Sequence, residues 1–195
     1  MEARHYTAVE ILRDGESLLI RAIRPEDKAL LIEMFERLTP QTIYYRFHGA
    51  KKRLSRRELI YLTELDFHRQ AALVALLADD DGERIVGVGR WACPPNGLTD
   101  RAEVAFTVED GEQGRGIGKL LLHHLMRVAR AQGIKEFEAF VLAENVRMLE
   151  LFGRTGLVVH HSAEDRACHL IMSIRADPSL PDSDQQLAAQ PADDL

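Results

Sequence analysis

The sequence predicts one mixed α/β domain whose first half is mainly antiparallel. Three observations carry this reading. Short apolar runs with strand spacing follow one another between turn signals over residues 71–108. Segments with apolar residues at helical spacing begin at recognisable start signals. A glycine-rich stretch, Gln113–Lys119, joins a strand to a helix.

Taken in order, residues 1–16 form an N-terminal extension, and Ser17–Ile23 is a strand with Leu18, Ile20 and Ala22 on one face. Arg24-Pro25-Glu26-Asp27 then opens a helix to about Leu38, because proline suits the first turn and acids suit the positive helix end. Ser55 with Glu58 three residues on makes a capping box for a second helix, running to Leu65. Ala71–Ala78, Arg84–Trp91 and Ala102–Val108 are strands. In the last of these Val104, Phe106 and Val108 face one way, and Glu103, Ala105 and Thr107 the other. A helix from about Gly118 to Gln132 stops at Gly133. Phe137–Leu142 is a strand, Asn145–Arg154 a helix, and Leu157–His160 with His169–Ile174 a terminal strand pair. The tail 177–195, rich in Pro, Asp, Gln and Ala, reads as disordered, which leaves 17–176 as the folded domain.

Composition narrows the function. The chain has 195 residues and net charge −6, and the tail holds five Asp and no Lys or Arg. Setting those five negative charges aside leaves residues 1–176 at −1, so no nucleic-acid partner is expected. No apolar run approaches the ~20 residues of a membrane span, and no secretory signal is visible. A cytoplasmic protein is therefore expected, as a monomer or a homodimer. Cys93 and Cys168 form no metal pattern, His160-His161 lacks a third ligand nearby, and no metal site is expected. Lys51, Lys52, Arg53, Arg56 and Arg57 cluster, as a solvated helix start or as a docking patch for an acidic partner or for phosphates.

Gln113-Gly114-Arg115-Gly116-Ile117-Gly118-Lys119 suits a phosphate anion. A helix start offers unpaired N–H groups and partial positive charge, glycines let the backbone approach closely, and Arg115 and Lys119 add charge. A Walker loop would need Gly at Gln113 and Ser or Thr at Leu120. A dinucleotide fingerprint would need Gly or Ala at Lys119.

The Gln-x-x-Gly-x-Gly pattern resembles the pyrophosphate-binding motif of the GNAT family, the Gcn5-related N-acetyltransferases. Ala143-Glu144-Asn145 through Phe152, then Gly156-Leu157, is similar to that family's later Asn-containing helix. The resemblance spans roughly residues 17–175. It implies a central, mostly antiparallel sheet flanked by helices and splayed at a cleft for acetyl-CoA. By that likeness Gly114–Lys119 hold the pyrophosphate, Phe106 and Val108 offer backbone groups to the pantetheine arm, and Asn145 contacts the arm. The Val108 amide would then face the thioester carbonyl.

An amine attacks only when neutral, and a lysine of pKa ~10.4 is about one part in a thousand neutral near pH 7.4. A general base relieves this, and a carboxylate raised by partial burial suits the task. Glu103 is the candidate, with Glu109 in reserve; the bland alternative is a solvated Glu103 or one paired with Arg101. Ala102-Glu103-Val104-Ala105-Phe106 resembles the protein lysine acetyltransferases within GNAT. Arg21–Asp27, Tyr44–Phe47 and Leu62–Asp66 are similar to bacterial Pat-type enzymes, which modify a lysine of acyl-CoA synthetases. The resemblance implies direct transfer to a protein lysine with Glu103 as base. A small-molecule amine acceptor, or a CoA-binding module without turnover, remain the alternatives. Many family members place a Tyr where this chain has Phe152, so no general acid is assigned.

Overall fold

The computed structural model describes residues 2–80, 82–95, 100–153 and 167–174, and the backbone of 158–161. The tail at 177–195 lies outside the described residues. Eight strands form one sheet: β1 (Thr7–Ile11), β2 (Ser17–Ala22), β3 (Gln70–Asp79), β4 (Gly82–Ala92), β5 (Arg101–Val108), β6 (Glu136–Leu142), β7 (Val158–His161) and β8 (Ala167–Ser173). Their spatial order is β1-β2-β3-β4-β5-β6-β8-β7. Neighbours are antiparallel except β5 and β6, which are parallel.

Two elements depart from the sequence reading. The segment set apart as an N-terminal extension carries β1, an edge strand paired to β2 from Thr7–Arg21 to Ile11–Ser17. Its pattern was illegible because the large apolar residues face outward: Val9 is 67% and Ile11 64% exposed. The second departure is an additional helix. The helices are α1 (Lys28–Arg37), α2 (Pro40–Phe47), α3 (Arg56–Thr63), α4 (Ile117–Ala131) and α5 (Val146–Gly153). Of these, α2 had not been assigned, although Thr39-Pro40 is a start signal: the Thr39 hydroxyl accepts from the Thr42 N–H and proline sits in the first turn. The Ser55–Glu58 capping box forms as expected. Lys51 pairs with the same carboxylate and, with the bonds from Ser55, holds it down to about 2.

Helix α4 packs its buried stripe, Ile117, Leu121, Leu125 and Val128, on one sheet face, and α1 to α3 cover the other face near β4. Two glycines of β4 make close approaches possible, Gly87 to α4 and Gly89 to the Phe106 ring. A Cβ on Gly87 would lie 2.9 Å from the Leu121 side chain, and one on Gly89 2.7 Å from the Phe106 ring. The Phe106 ring is backed by Phe152, which it meets edge-on at 5.9 Å between centroids. Gly89→Val is therefore expected to destabilise the fold by about 1–3 kcal/mol of overpacking, read by urea denaturation.

The cradle helix is also tied to the sheet edge. His124 is 3% exposed; its Nε2–H donates to Glu10 on β1 at 3.0 Å, and its Nδ1 meets the Tyr6 hydroxyl at 2.5 Å. A carboxylate can only accept, so the neutral ring carries its proton on Nε2 and accepts from Tyr6. Burial pushes the His124 pKa down, opposed by Glu10 and reinforced by the charges of His123 and Arg127. A folded-state pKa below the usual ~6.5 means stability is complete above that value and falls as pH drops through it. Wild type should thus lose thermal stability between pH 7.5 and 5 more steeply than His124→Phe, by scanning calorimetry.

Candidate active site

Strands β5 and β6 pair only from Arg101–Glu136 to Glu103–Glu138, and beyond Glu103 they part. The gap opens into a cleft of about 1790 Å³, larger than the few hundred cubic ångströms of a typical small-ligand pocket. The backbone of β5 is aimed into it. The Glu109 N–H bonds to Val86 just past the Gly87–Val108 pair, so that pair is of the non-hydrogen-bonded kind. The N–H and C=O of Val108, and by alternation of Phe106, therefore point away from β4 and into the gap. There the Gln113 side-chain amide donates to the Val108 carbonyl at 3.0 Å, and Arg147 donates to its other end.

The cradle follows directly. Gly114 and Gly116 have φ of +84° and +96°, a region that side chains disfavour, with open space where a Cβ would stand. This turn delivers the chain into α4 at Ile117, and the first helical bond runs from the Leu120 N–H to the Gly116 carbonyl. The N–H groups ahead of it have no partner within the helix, which is the anion site expected of a helix start. Gly114, Gly116, Gly118 and exposed Lys119 all line the cleft, with Ile117 buried beneath. These residues fit a CoA pyrophosphate. Gly116→Ala is expected to weaken CoA binding about tenfold, the equivalent of ~1–2 kcal/mol of backbone strain, with the circular dichroism spectrum unchanged.

Arg115 corrects the sequence reading. Its side chain does not line the cleft; it donates to Asp14 at 2.9 and 2.5 Å, to Glu16 at 2.6 Å, and to Glu112. These carboxylates, Glu16 foremost, raise its pKa above the ordinary guanidinium value. Only the backbone of Arg115 belongs to the cradle.

At the other end of the cleft stands Glu103. It is exposed, so the partial burial expected of it is not present, and Arg101 pairs with Glu136 rather than with it. Its electrostatic partners are Arg46 on α2 and buried Arg90, which lies on the neighbouring strand β4 opposite Ala105. Burial, together with the charge of Arg90, lowers the Arg46 pKa, and Glu103 opposes that shift. Arg90 lies over the Tyr61 ring at 4.0 Å and donates to the Tyr61 carbonyl and to Gln70. Arg46 received no role from the sequence because α2 was not assigned; Tyr45 and Phe47 also line the cleft. The Tyr45 hydroxyl donates across the cleft mouth to the Glu144 carbonyl at 3.3 Å.

The remaining candidates fall into place around this axis. Glu109, the reserve base, is bound by Arg37 at 3.1 Å and Arg84 at 3.0 Å, which makes it structural. Asp110 would be raised by burial, but bonds from the Thr39 N–H and the Thr39 and Thr42 hydroxyls hold it below the usual carboxylate range. It thereby anchors α2 beside the cradle. Asn145 lines the cleft, and its side chain accepts from the Met148 N–H at 3.3 Å, opening α5. Phe152 is 1% exposed and contributes a ring without a hydroxyl to the cleft lining.

The acetyltransferase (GNAT) family matches residues 32–157. An acetyltransferase of Pseudomonas aeruginosa is 35% identical over 166 residues, covering 85% of this chain and 87% of that protein. The acetyltransferase Pat of Mycolicibacterium smegmatis is 34% identical over 154 residues, but the chain spans only 43% of its length. Among solved structures, the GNAT domain of S. lividans PAT superposes with a TM-score of 0.78 at 33% identity, covering 86% of this chain and 96% of that one. A splayed sheet, a glycine cradle and these likenesses agree: the chain belongs to the GNAT family of acetyltransferases.

Proposed function

We propose that this protein acetylates a protein lysine, taking the acetyl group from acetyl-CoA and passing it directly to the amine. The observation that carries the reading is the position of Glu103, an exposed carboxylate where β5 and β6 begin to part, on the strand whose other end meets the cradle. Acetyl-CoA supplies the acetyl group as an activated thioester. Gly114, Gly116 and Gly118, with Lys119, would hold its pyrophosphate, and the backbones of Phe106 and Val108 its pantetheine arm. Glu103 takes the proton of the incoming ammonium, directly or through water, which removes most of the roughly 4 kcal/mol needed to neutralise a lysine near pH 7. The Val108 N–H donates to the oxygen on which negative charge develops. With Phe152 apolar, water protonates the departing thiolate.

The likeness to Pat supports a protein acceptor. The test incubates wild type or Glu103→Gln with labelled acetyl-CoA and a cell lysate. Glu103-dependent label in discrete protein bands is expected. Label confined to small molecules would transfer the proposal to a small amine, and saturable CoA binding without any label would identify a binding module.

A further inference from the structure

We infer that the turn between β1 and β2 carries a separate subsite for the ribose 3′-phosphate of CoA, with Arg13 as its ligand and Arg115 as the residue that positions it. The inference rests on the CoA reading above and adds a part of the site that the cradle does not supply.

The turn is well defined. The Leu12 N–H bonds to the Glu16 carbonyl at 2.9 Å, and the Gly15 N–H to Leu12 at 2.9 Å. Gly15 takes φ +90°, and Leu12, 3% exposed, anchors the turn in the core. Arg13 projects from it as an exposed side chain and lines the same cleft as Gly114, Gly116 and Lys119. Glu103 lies five residues back along β5 from Val108, about 17 Å at strand rise, so Arg13 sits at the cradle end and away from the chemistry.

Arg13 by itself would be a poor anion ligand, because Asp14 and Glu16 flank it. Arg115 offsets part of that repulsion. Its guanidinium binds both carboxylates, and Glu112 besides, across a sequence separation of about a hundred residues. One ion cluster thus fastens the turn to the cradle and sets a positive charge against the acids next to Arg13. Asp14 is correspondingly held below its usual range by the Glu16 backbone N–H and by Arg115. The cradle amides suit the internal pyrophosphate, which is held by backbone. A terminal phosphate monoester is instead a compact dianion that an arginine fork matches in two bonds. In CoA that group is the 3′-phosphate, and dephospho-CoA differs from CoA by it alone.

Isothermal titration of CoA and dephospho-CoA into the purified full chain tests this. Wild type is expected to bind CoA about tenfold more tightly. Arg13→Ala should bring the two within twofold by weakening CoA only. Arg115→Gln should erase the same preference, a readout that a generally loosened cradle would not give, since both ligands would then weaken together. Equal affinities in wild type, or a preference that survives Arg13→Ala, would overturn the subsite while leaving the CoA reading intact. A preference lost in Arg13→Ala but kept in Arg115→Gln would overturn the positioning role. Failure of wild type to bind either ligand would instead refute CoA as the ligand.

Discussion

Replacing Glu103 by Gln is expected to lower turnover by about 10²-fold, with the affinity for CoA unchanged within twofold. The side chain keeps its shape and loses only its capacity to accept a proton, and a positioned general base contributes about 10²–10⁴. Glu103 is exposed and Gln keeps its backbone pairing with Ala92 and Glu138, so the variant should melt close to wild type. The charge it loses is felt by Arg46 and Arg90, but both have other surroundings: Arg90 stacks on Tyr61, and Arg46 lies over Phe47. The measurement is thiol release with an acceptor found by labelling, run beside direct CoA titration. A rate within threefold of wild type would remove Glu103 from the mechanism. A loss of CoA affinity equal to the loss of rate would make it a binding residue instead.

The largest stability effect is expected at Asp27, far from the chemistry. Arg21 and Asp27 are 6% and 4% exposed and form two parallel bonds of 2.7 Å each. Asp27 also accepts from the Arg24 N–H at 2.7 Å, which shapes the turn leading into α1, and Arg21 donates to the Ala22 carbonyl. Asp27→Ala strands a guanidinium in the core, because arginine does not deprotonate, and breaking a buried pair this way costs about 3–5 kcal/mol. In a chain of this size that corresponds to a fall in Tm of roughly 10 °C. Arg21→Met combined with Asp27→Leu should recover much of the loss, since it removes both charges from the interior. A loss under about 1 kcal/mol for Asp27→Ala, in urea unfolding, would mean that water reaches the pair.

The same residues divide what could be read along the chain from what could not. Local chemistry was legible. The glycines at 114 and 116, set between an alternating strand and an apolar helical stripe, marked a tight turn into a helix start without any knowledge of tertiary contacts. Ser55 with Glu58 marked a helix that forms where expected. Proline at position 40 after Thr39 carried equal information that went unused, so α2 and its Arg46 were missed. Partner choice was not legible. Nothing near Arg115 in sequence indicates that its charge is taken up by Asp14 and Glu16, because that depends on the β1–β2 turn folding against the cradle. Glu103 illustrates both halves. Alternation along β5 fixed which way it faces, and strand periodicity is a local property. Its exposure, where β5 and β6 stop pairing, and the arginines that α2 and β4 bring near it depend on segments far apart in sequence. The sequence by itself determined the glycine turn, the strand that carries Glu103 and most helix starts, since turns, caps and periodicity involve residues a few positions apart. Only the tertiary structure decided the cleft and the ion-pair partners, since these join segments that meet through folding alone.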